Sequence, residues 1–315
     1  MKKTVLHIGT HKTGSTFIQT FLFSNKQKLP QLGYCFPDFG EKTSAKGHRD
    51  LSQYLRKGGN DPKLDIFTEK ESARRIILSS EDFCYCHPDE IDDAKNLLGE
   101  NVKIVCYLRE PTSHLISMYY QSIQSKKSLY LHFPAYLDNA IQKTRNTSPE
   151  VSNPYYNYDN LEESWKAVFN DSNFIVYSKF KPEELLRSFF TAADIVIPSL
   201  DDFSFERTNA NTSPSPETIF VHLSINKLRI ENKLSNEQHS IFRAHIRQKG
   251  IGELKDQISD WIEYPLNGFI DIFNEENPKW SLQFNNHIES FKFPSEIHGG
   301  EKEILDWLCS NVKIV

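Results

Sequence analysis

The stretch Gly9-Thr-His-Lys-Thr-Gly-Ser-Thr16 lies between a short apolar run, Val5 to Ile8, and a segment with helical periodicity. Apolar residues of that segment recur at the spacing of one helix face: Phe17, Ile18, Phe21 and Leu22. This order predicts a strand, a tight loop and a helix, which together form the first half of a βαβ unit. The two glycines, separated by four residues, match the spacing of a phosphate-binding loop.

The position of the lysine distinguishes this loop from that of nucleoside triphosphatases. Those enzymes place a lysine directly after the second glycine, where this chain has Ser15, and its own lysine is Lys12. The backbone N–H groups from Thr13 to Thr16 would face an anion at the first turn of the helix, where unpaired donors and the helix dipole favour negative charge. A lysine placed earlier suits a ligand with one 5′-phosphate and one further group, because it can neutralise the bridging oxygen.

Strands and helices alternate along the first two hundred residues. Apolar runs predict strands at 75–81, 102–108 and 174–177. Prolines stand where predicted helices begin: Pro88, Pro111 and Pro182. We therefore expect an α/β fold, with a P-loop-type, mainly parallel sheet flanked by helices.

Helical periodicity dominates from Glu217 to about Phe273 and predicts a helical cap at the carboxyl end. We predict a single domain over residues 1–315, with its core at about 1–200 and a helical extension at about 214–315.

Composition excludes several classes of function. The net charge of −5 gives no general attraction to nucleic acid, and no apolar run is long enough for membrane insertion. Met1-Lys-Lys3 leads directly into the first strand without the core of a signal peptide, so we expect a cytoplasmic protein. The cluster Cys84-Tyr-Cys-His87 lacks a second ligand pair at zinc-site spacing, and we predict no metal.

A second pattern lies in the run Val105-Cys-Tyr-Leu-Arg-Glu-Pro-Thr-Ser-His-Leu-Ile-Ser-Met-Tyr-Tyr120. It places Arg109 at a predicted strand end and Ser117 eight residues later in a predicted helix. Together with Lys12-Thr-Gly-Ser-Thr16, it resembles the sulfotransferases that use 3′-phosphoadenosine 5′-phosphosulfate (PAPS), in particular bacterial and carbohydrate sulfotransferases. The resemblance implies that Arg109 and Ser117 bind the 3′-phosphate. It also implies that the loop holds the 5′-phosphosulfate through Lys12, Thr13, Gly14, Ser15 and Thr16.

Glu81 ends a predicted strand, so in a parallel sheet it would emerge at the same edge as the loop and Arg109. A carboxylate there can accept the proton of an acceptor hydroxyl. Carbohydrate and tyrosyl-protein sulfotransferases use a glutamate at this kind of position, so the resemblance implies a saccharide acceptor, such as a surface polysaccharide. Two alternatives stay open: His48 as the base, and a structural pairing of Glu81 with an arginine such as Arg75 or Arg109.

Two further residues are candidates for donor contact. His11 lies inside the loop, where it would touch the donor or pack beside it. Ser213 belongs to Asn211-Thr-Ser213, which resembles a segment of bacterial sulfotransferases that could close over the nucleotide. The alternative for this segment is an N-cap of the helix after Pro216.

These patterns predict transfer of a sulfuryl group from PAPS to a hydroxyl or amine, with adenosine 3′,5′-bisphosphate (PAP) as product. One alternative is a P-loop small-molecule kinase or NTPase, in which Ser79-Ser-Glu-Asp82 would bind magnesium. The absence of Gly-Lys-Ser/Thr speaks against it. The other is a nucleotide-binding regulator without chemistry, against which the presence of both Lys12 and Glu81 speaks.

Overall fold

The computed structural model describes residues 3–37, 47–57, 75–125, 130–145, 156–178, 180–205 and 213–312. Within these ranges the strands are β1 (Lys3–Gly9), β2 (Tyr34–Cys35), β3 (Arg75–Ser79), β4 (Val102–Arg109), β5 (Asp171–Tyr177), β6 (Ile258–Pro265) and β7 (Ser290–Ile297). The helices are α1 (Ser15–Ser24), α2 (Arg49–Lys57), α3 (Pro88–Leu98), α4 (Pro111–Gln124), α5 (Phe133–Arg145), α6 (Tyr158–Val168), α7 (Pro182–Ala192), α8 (Pro216–Ile230), α9 (Asn236–Lys249), α10 (Asn267–Glu276), α11 (Pro278–Ser281) and α12 (Gly300–Asn311).

Five strands form a parallel sheet in the order β2-β3-β1-β4-β5. In its register Leu6 of β1 pairs with Leu78 of β3 on one side and with Ile104 of β4 on the other. Because the strands are parallel, the segments that follow β1, β3 and β4 leave the sheet at one edge. The predicted α/β fold with a mainly parallel sheet is confirmed.

Side chains on one face of this sheet share a core with two helices. The members include strand residues and residues of α1 and α7: Val5, Ile77, Val105, Tyr107, Ile18, Phe21, Leu186 and Phe189. Alternate strand residues such as Leu6 and Ile104 point to the opposite face and are equally buried. Burial on both faces explains why β4 is apolar at every position from Ile104 to Leu108 and does not alternate.

The chain divides into two compact units. The first comprises residues 1–110, 143–211 and 273–285, and the second comprises 111–142, 212–272 and 286–315. The parallel sheet belongs to the first unit. The second has its own core, which includes Val221 and Ile225 of α8, Phe242 of α9 and Leu308 of α12.

The region after residue 214 contains more than the predicted helices. Strand β6 falls inside the stretch where helical periodicity predicted only helix, and it pairs antiparallel with β7. Most of β6 is exposed, so it lacks the alternation of buried and exposed residues that identifies a strand in a sequence. No helix in the described ranges is both long and apolar enough to cross a membrane. The location in the cytoplasm stays a prediction.

Candidate functional site

The loop between β1 and α1 is held in shape by its own hydroxyl groups. The N–H and Oγ1 of Thr10 donate to the carbonyl oxygen of Tyr107 at 2.9 and 3.0 Å, which ties the loop to β4. Thr13 Oγ1 and Ser15 Oγ in turn donate to the carbonyl oxygen of Thr10 at 2.6 and 3.2 Å. The hydroxyl proton of Ser15 is thus directed into the loop itself.

Two glycines of the loop are required by geometry. Gly9 has φ of 106°, and a β-carbon there would lie 3.0 Å from the Cα of Glu81. Gly14 has φ of 83°, and a β-carbon there would overlap the side chain of Leu185 in α7. Both positive φ values are costly for residues with a side chain. Glycine is therefore needed at both positions of the motif, because the backbone passes close to the candidate base at Gly9 and close to α7 at Gly14.

Helix α1 begins with its N-terminus uncapped by any side chain of the described residues. The first helical hydrogen bonds run from Phe17 and Ile18 to the carbonyl oxygen of Gly14. The N–H groups of Ser15 and Thr16 precede them and are the donors that an anion at this end would meet. The helix dipole adds partial positive charge there.

Two cations lie beside this helix end. The Nη1 of Arg109 donates to the carbonyl oxygen of Lys12 at 3.1 Å, and the backbone of Arg109 is fixed by the hydroxyl of Tyr158, which donates to its carbonyl oxygen at 2.7 Å. Partial loss of solvation, and then the charge of Arg109, lower the pKa of the Lys12 ammonium, while the charge of Glu81 acts the other way. Burial also lowers the pKa of Arg109. An anion would relieve the repulsion between these two cations.

Glu81 follows β3 by one residue, Ser80, and begins a short 3-10 turn, so the strand ends two residues earlier than predicted. Ser80 caps that turn by accepting a hydrogen bond from the N–H of Asp82. The half-buried carboxylate of Glu81 accepts a hydrogen bond from Gln19 Nε2 at 2.9 Å. Hydrogen bonds of the two arginines considered as its partners go to main-chain oxygens: Arg75 bonds to Asp194 and Arg109 bonds to Lys12.

His48 is buried, and both of its ring nitrogens bond to the main chain. Nδ1 accepts from the N–H of Ser79 at 3.0 Å, and this fixes the proton on Nε2, which donates to the carbonyl oxygen of Pro37 at 2.9 Å. The N–H of His48 also donates to the carbonyl oxygen of Ser79 at 2.7 Å. The role of His48 as a base stays a prediction, and this geometry counts against it because Nδ1 is already occupied.

His11 lies in the loop, as predicted, and contacts the turn that follows β3. Its Nε2 lies 3.1 Å from Asp82 Oδ1, and its ring stacks on that of Tyr85 at a centroid distance of 5.2 Å. Arg49 of α2 donates to the other oxygen of Asp82 at 3.0 Å. Burial raises the pKa of Asp82, but the hydrogen bond and charge of His11, with the charges of Arg49 and Arg56, lower it overall.

Ser117 and Ser213 belong to the second unit. Ser117 is buried in α4, and Ser213 is exposed ahead of α8. Helix α8 is capped by Ser215, so the segment around Ser213 does not supply the N-cap. Asn211 lies outside the described residues. The roles of Ser117 and Ser213 in donor binding stay predictions.

The cysteines near the site lie in a protein environment that disfavours thiolates. Burial raises the pKa of the thiols of Cys84 and Cys86. Within the ranges that the structure describes, no group of three histidine, cysteine or carboxylate side chains could hold a metal ion.

Gln19 and Asp82 are the site residues that sequence reasoning missed. Gln19 lies four residues after Ser15 and therefore on the same face of α1. This spacing was the available signal, but its partner Glu81 is distant in sequence and became visible only in the fold. Asp82 directly follows Glu81 and was considered only as a magnesium ligand of the alternative kinase.

Comparison with known proteins identifies a family. Residues 2–179 match the sulfotransferase domain, and this range includes the loop, Glu81 and Arg109. None of the curated proteins matches the chain. A solved structure that is similar is the sulfotransferase from Alicyclobacillus acidocaldarius, with a TM-score of 0.44 and 15% identity over 74% of this chain and 95% of that chain. Since the domain match spans more than half of its length, the chain belongs to the sulfotransferase family.

Proposed function

We propose that the protein transfers a sulfuryl group from PAPS to a hydroxyl or amine of an acceptor and releases PAP. One observation carries the proposal. Arg109 donates a hydrogen bond to the carbonyl oxygen of Lys12 beside the uncapped start of α1, and Lys12 interacts electrostatically with the carboxylate of Glu81. This combination provides a binding site for an anion and a base within one unit.

The donor atoms at this site suit phosphate and sulfate oxygens. In our proposal Lys12 and the residues from Thr13 to Thr16 hold the 5′-phosphosulfate through the ammonium group of Lys12, the loop N–H groups and the hydroxyl of Thr16. Arg109 and Ser117 bind the 3′-phosphate, since a guanidinium presents a forked pair of donors. His11 and Ser213 are further candidates for donor contact. The positive charge comes from side chains, and we propose no metal.

Glu81 takes the proton of the acceptor O–H or N–H. The acceptor atom then forms its bond to sulfur while the bond between sulfur and the bridging oxygen breaks, and the electron pair stays on that oxygen. Lys12 donates a hydrogen bond to the bridging oxygen and stabilises its new charge. The loop N–H groups keep the reacting atoms in line, which reduces the entropic part of the barrier.

We propose a saccharide acceptor, such as a surface polysaccharide. A glutamate base supports this class, because the carbohydrate sulfotransferases that the chain resembles use a glutamate at the end of a strand.

A transfer assay tests the proposed function. The protein is incubated with ³⁵S-labelled PAPS and a panel of saccharides and amino sugars, with and without EDTA. We expect label in at least one saccharide in both conditions. If PAP binds but no acceptor is labelled, the result contradicts the proposal and favours a regulator. Hydrolysis of ATP that requires magnesium would favour the kinase.

A further inference from the structure

Gln19 is a buried polar side chain that bridges two elements at the carboxyl edge of the sheet. It lies on α1, and its Nε2 is 2.9 Å from Glu81 Oε2 and 3.2 Å from Ser79 Oγ. The carboxylate only accepts hydrogen bonds, so the amide nitrogen and not the amide oxygen must face it. Both protons of the amide group are then used, one for Glu81 and one for Ser79.

A buried histidine lies next to this pair of hydrogen bonds. Ser79 Oγ accepts from Gln19 and lies 2.8 Å from Nδ1 of His7. His7 is completely buried, and burial lowers its pKa to about 3, so its ring is neutral at pH 7. Two hydrogen bonds of the Gln19 amide have defined directions, one to Ser79 and one to Glu81, because an amide nitrogen only donates.

The backbone at Gly47 packs against the same amide. A β-carbon on Gly47 would lie 2.6 Å from Gln19 Cδ, closer than atoms of a real side chain can approach. Only glycine at position 47 leaves room for the amide where it is. Gln19 is thus held by its hydrogen bonds on one side and by the backbone at Gly47 on another, and its rotation is restricted.

We propose that Gln19 is a positioning residue that orients the carboxylate of Glu81 for proton transfer. By occupying Oε2 it fixes the rotation of the carboxylate and leaves Oε1 for the proton of the acceptor. This inference rests on the proposed function, in which Glu81 is the base. Other groups around Glu81 are Lys12 in the loop, and Asp82 and the thiol of Cys84 in the same turn.

Two substitutions separate positioning from simple packing. Gln19→Met keeps a side chain of similar length but removes the donor, and Gln19→Glu keeps the shape but places a second acidic group against Glu81. The control is Gln31→Met, the same chemical change at an exposed position of the same unit. Binding of PAP by calorimetry shows for each variant that the fold and the loop are intact.

We expect both Gln19 variants to lower kcat by about tenfold or more, which corresponds to the loss of a hydrogen bond to a charged group. PAP affinity should change by less than about twofold in the same variants. In Gln19→Glu the acidic limb of the pH profile of kcat/KM should move to higher pH by about one unit or more, because two adjacent carboxyl groups share a proton. A packing defect would lower the rate without moving the limb.

A second readout needs no turnover. The ¹³C carboxyl resonance of Glu81, assigned by its loss in Glu81→Gln, should titrate over a higher pH range in Gln19→Glu and Gln19→Met than in the wild type and in Gln31→Met. An unchanged titration in both Gln19 variants would overturn the inference. A shifted titration in the Gln19 variants, combined with a wild type that transfers no sulfate, would instead confirm the coupling and contradict the proposed function.

Discussion

Lys12 and Arg109 each place a positive charge beside the start of α1. The guanidinium is fixed by its hydrogen bond to the backbone of Lys12, so the two cations stay together although they repel each other. Donors that are already in place cost no reorganisation when a charged ligand or a developing charge arrives. The net charge of the chain is −5, so this positive charge is local and not part of a general field.

Glu81 carries the chemical step in the proposed mechanism, and its removal should separate binding from turnover. In Glu81→Gln the amide cannot accept the proton of the acceptor, so we expect kcat to fall by about 10²- to 10⁴-fold. PAP affinity should stay within about threefold of the wild type, because donor binding is assigned to other groups. Steady-state rates with labelled PAPS measure the first quantity and calorimetry measures the second.

The matched control for this prediction is Glu100→Gln, which makes the same chemical change on a side chain that is 82% exposed. It should retain wild-type kcat. Full activity in Glu81→Gln would show that another group is the base.

His48, directly before α2, bonds to the end of β3 through both its side chain and its backbone. His48 bonds to the N–H of Ser79 and to the carbonyl oxygen of Pro37, and its own N–H bonds back to Ser79. Helix α2 begins at the next residue, Arg49, so this attachment sets where the helix starts. We interpret His48 as a structural link between the end of β2 and the end of β3.

A substitution distinguishes this link from catalysis. In His48→Ala two buried main-chain groups lose their partner, and we expect the free energy of unfolding to fall by about 1–3 kcal/mol. Urea denaturation measures it, with His132→Ala at an exposed position as the control. Wild-type stability combined with a large loss of kcat in His48→Ala would instead indicate a catalytic base.

The elements that were predicted correctly are those whose sequence signals lie within a short stretch of chain. The apolar run, the glycine loop and the helical spacing of β1 and α1 lie within about twenty residues, and the prolines at the starts of α3, α4 and α7 stand where predicted. Strand β6 was missed because most of its residues are exposed, so it lacks the alternation of buried and exposed residues that identifies a strand. Its pairing with β7, which lies beyond α10 and α11, has no local signal either.

The same reason limits prediction of the candidate site. Lys12, Glu81 and Arg109 were predicted to share an edge because the order of strands and helices implies a parallel sheet. The partner of Glu81 could not be read in this way, since Gln19 looks like any polar residue of an amphipathic helix. The hydrogen bonds of His48 were hidden too, because a histidine near a loop carries no sign of burial.

Across the whole molecule, buried neutral histidines couple folding to pH. His7 in the first unit and His222 in the second are fully buried, and burial lowers the pKa of each to about 3. In the unfolded chain both titrate near the usual value of 6.5 given for histidine. The unfolded state therefore binds more protons below pH 6.5. The contribution of these two neutral histidines to the free energy of unfolding is fully present above pH 6.5 and is lost as pH falls toward 3.

We expect His222→Phe to reduce this pH dependence. Neither ring nitrogen of His222 has a hydrogen-bond partner among the described residues, so a phenyl ring can replace it without breaking a bond. From pH 6.5 to pH 5 the wild type should lose about 2 kcal/mol more unfolding free energy than the variant. Urea denaturation at both pH values measures the difference. The exposed control His298→Gln should behave as the wild type, and an equal loss in His222→Phe would refute the assignment.

Calorimetric titration with PAP in the presence of EDTA tests the central claim, that the start of α1 with Lys12 and Arg109 is the donor site. We predict binding by the wild type without metal, and at least about tenfold weaker binding in both Lys12→Ala and Arg109→Ala, since hydrogen bonds to charged groups are lost. The exposed control Lys249→Ala should bind as the wild type does. Unchanged PAP affinity in both Lys12→Ala and Arg109→Ala would contradict the account.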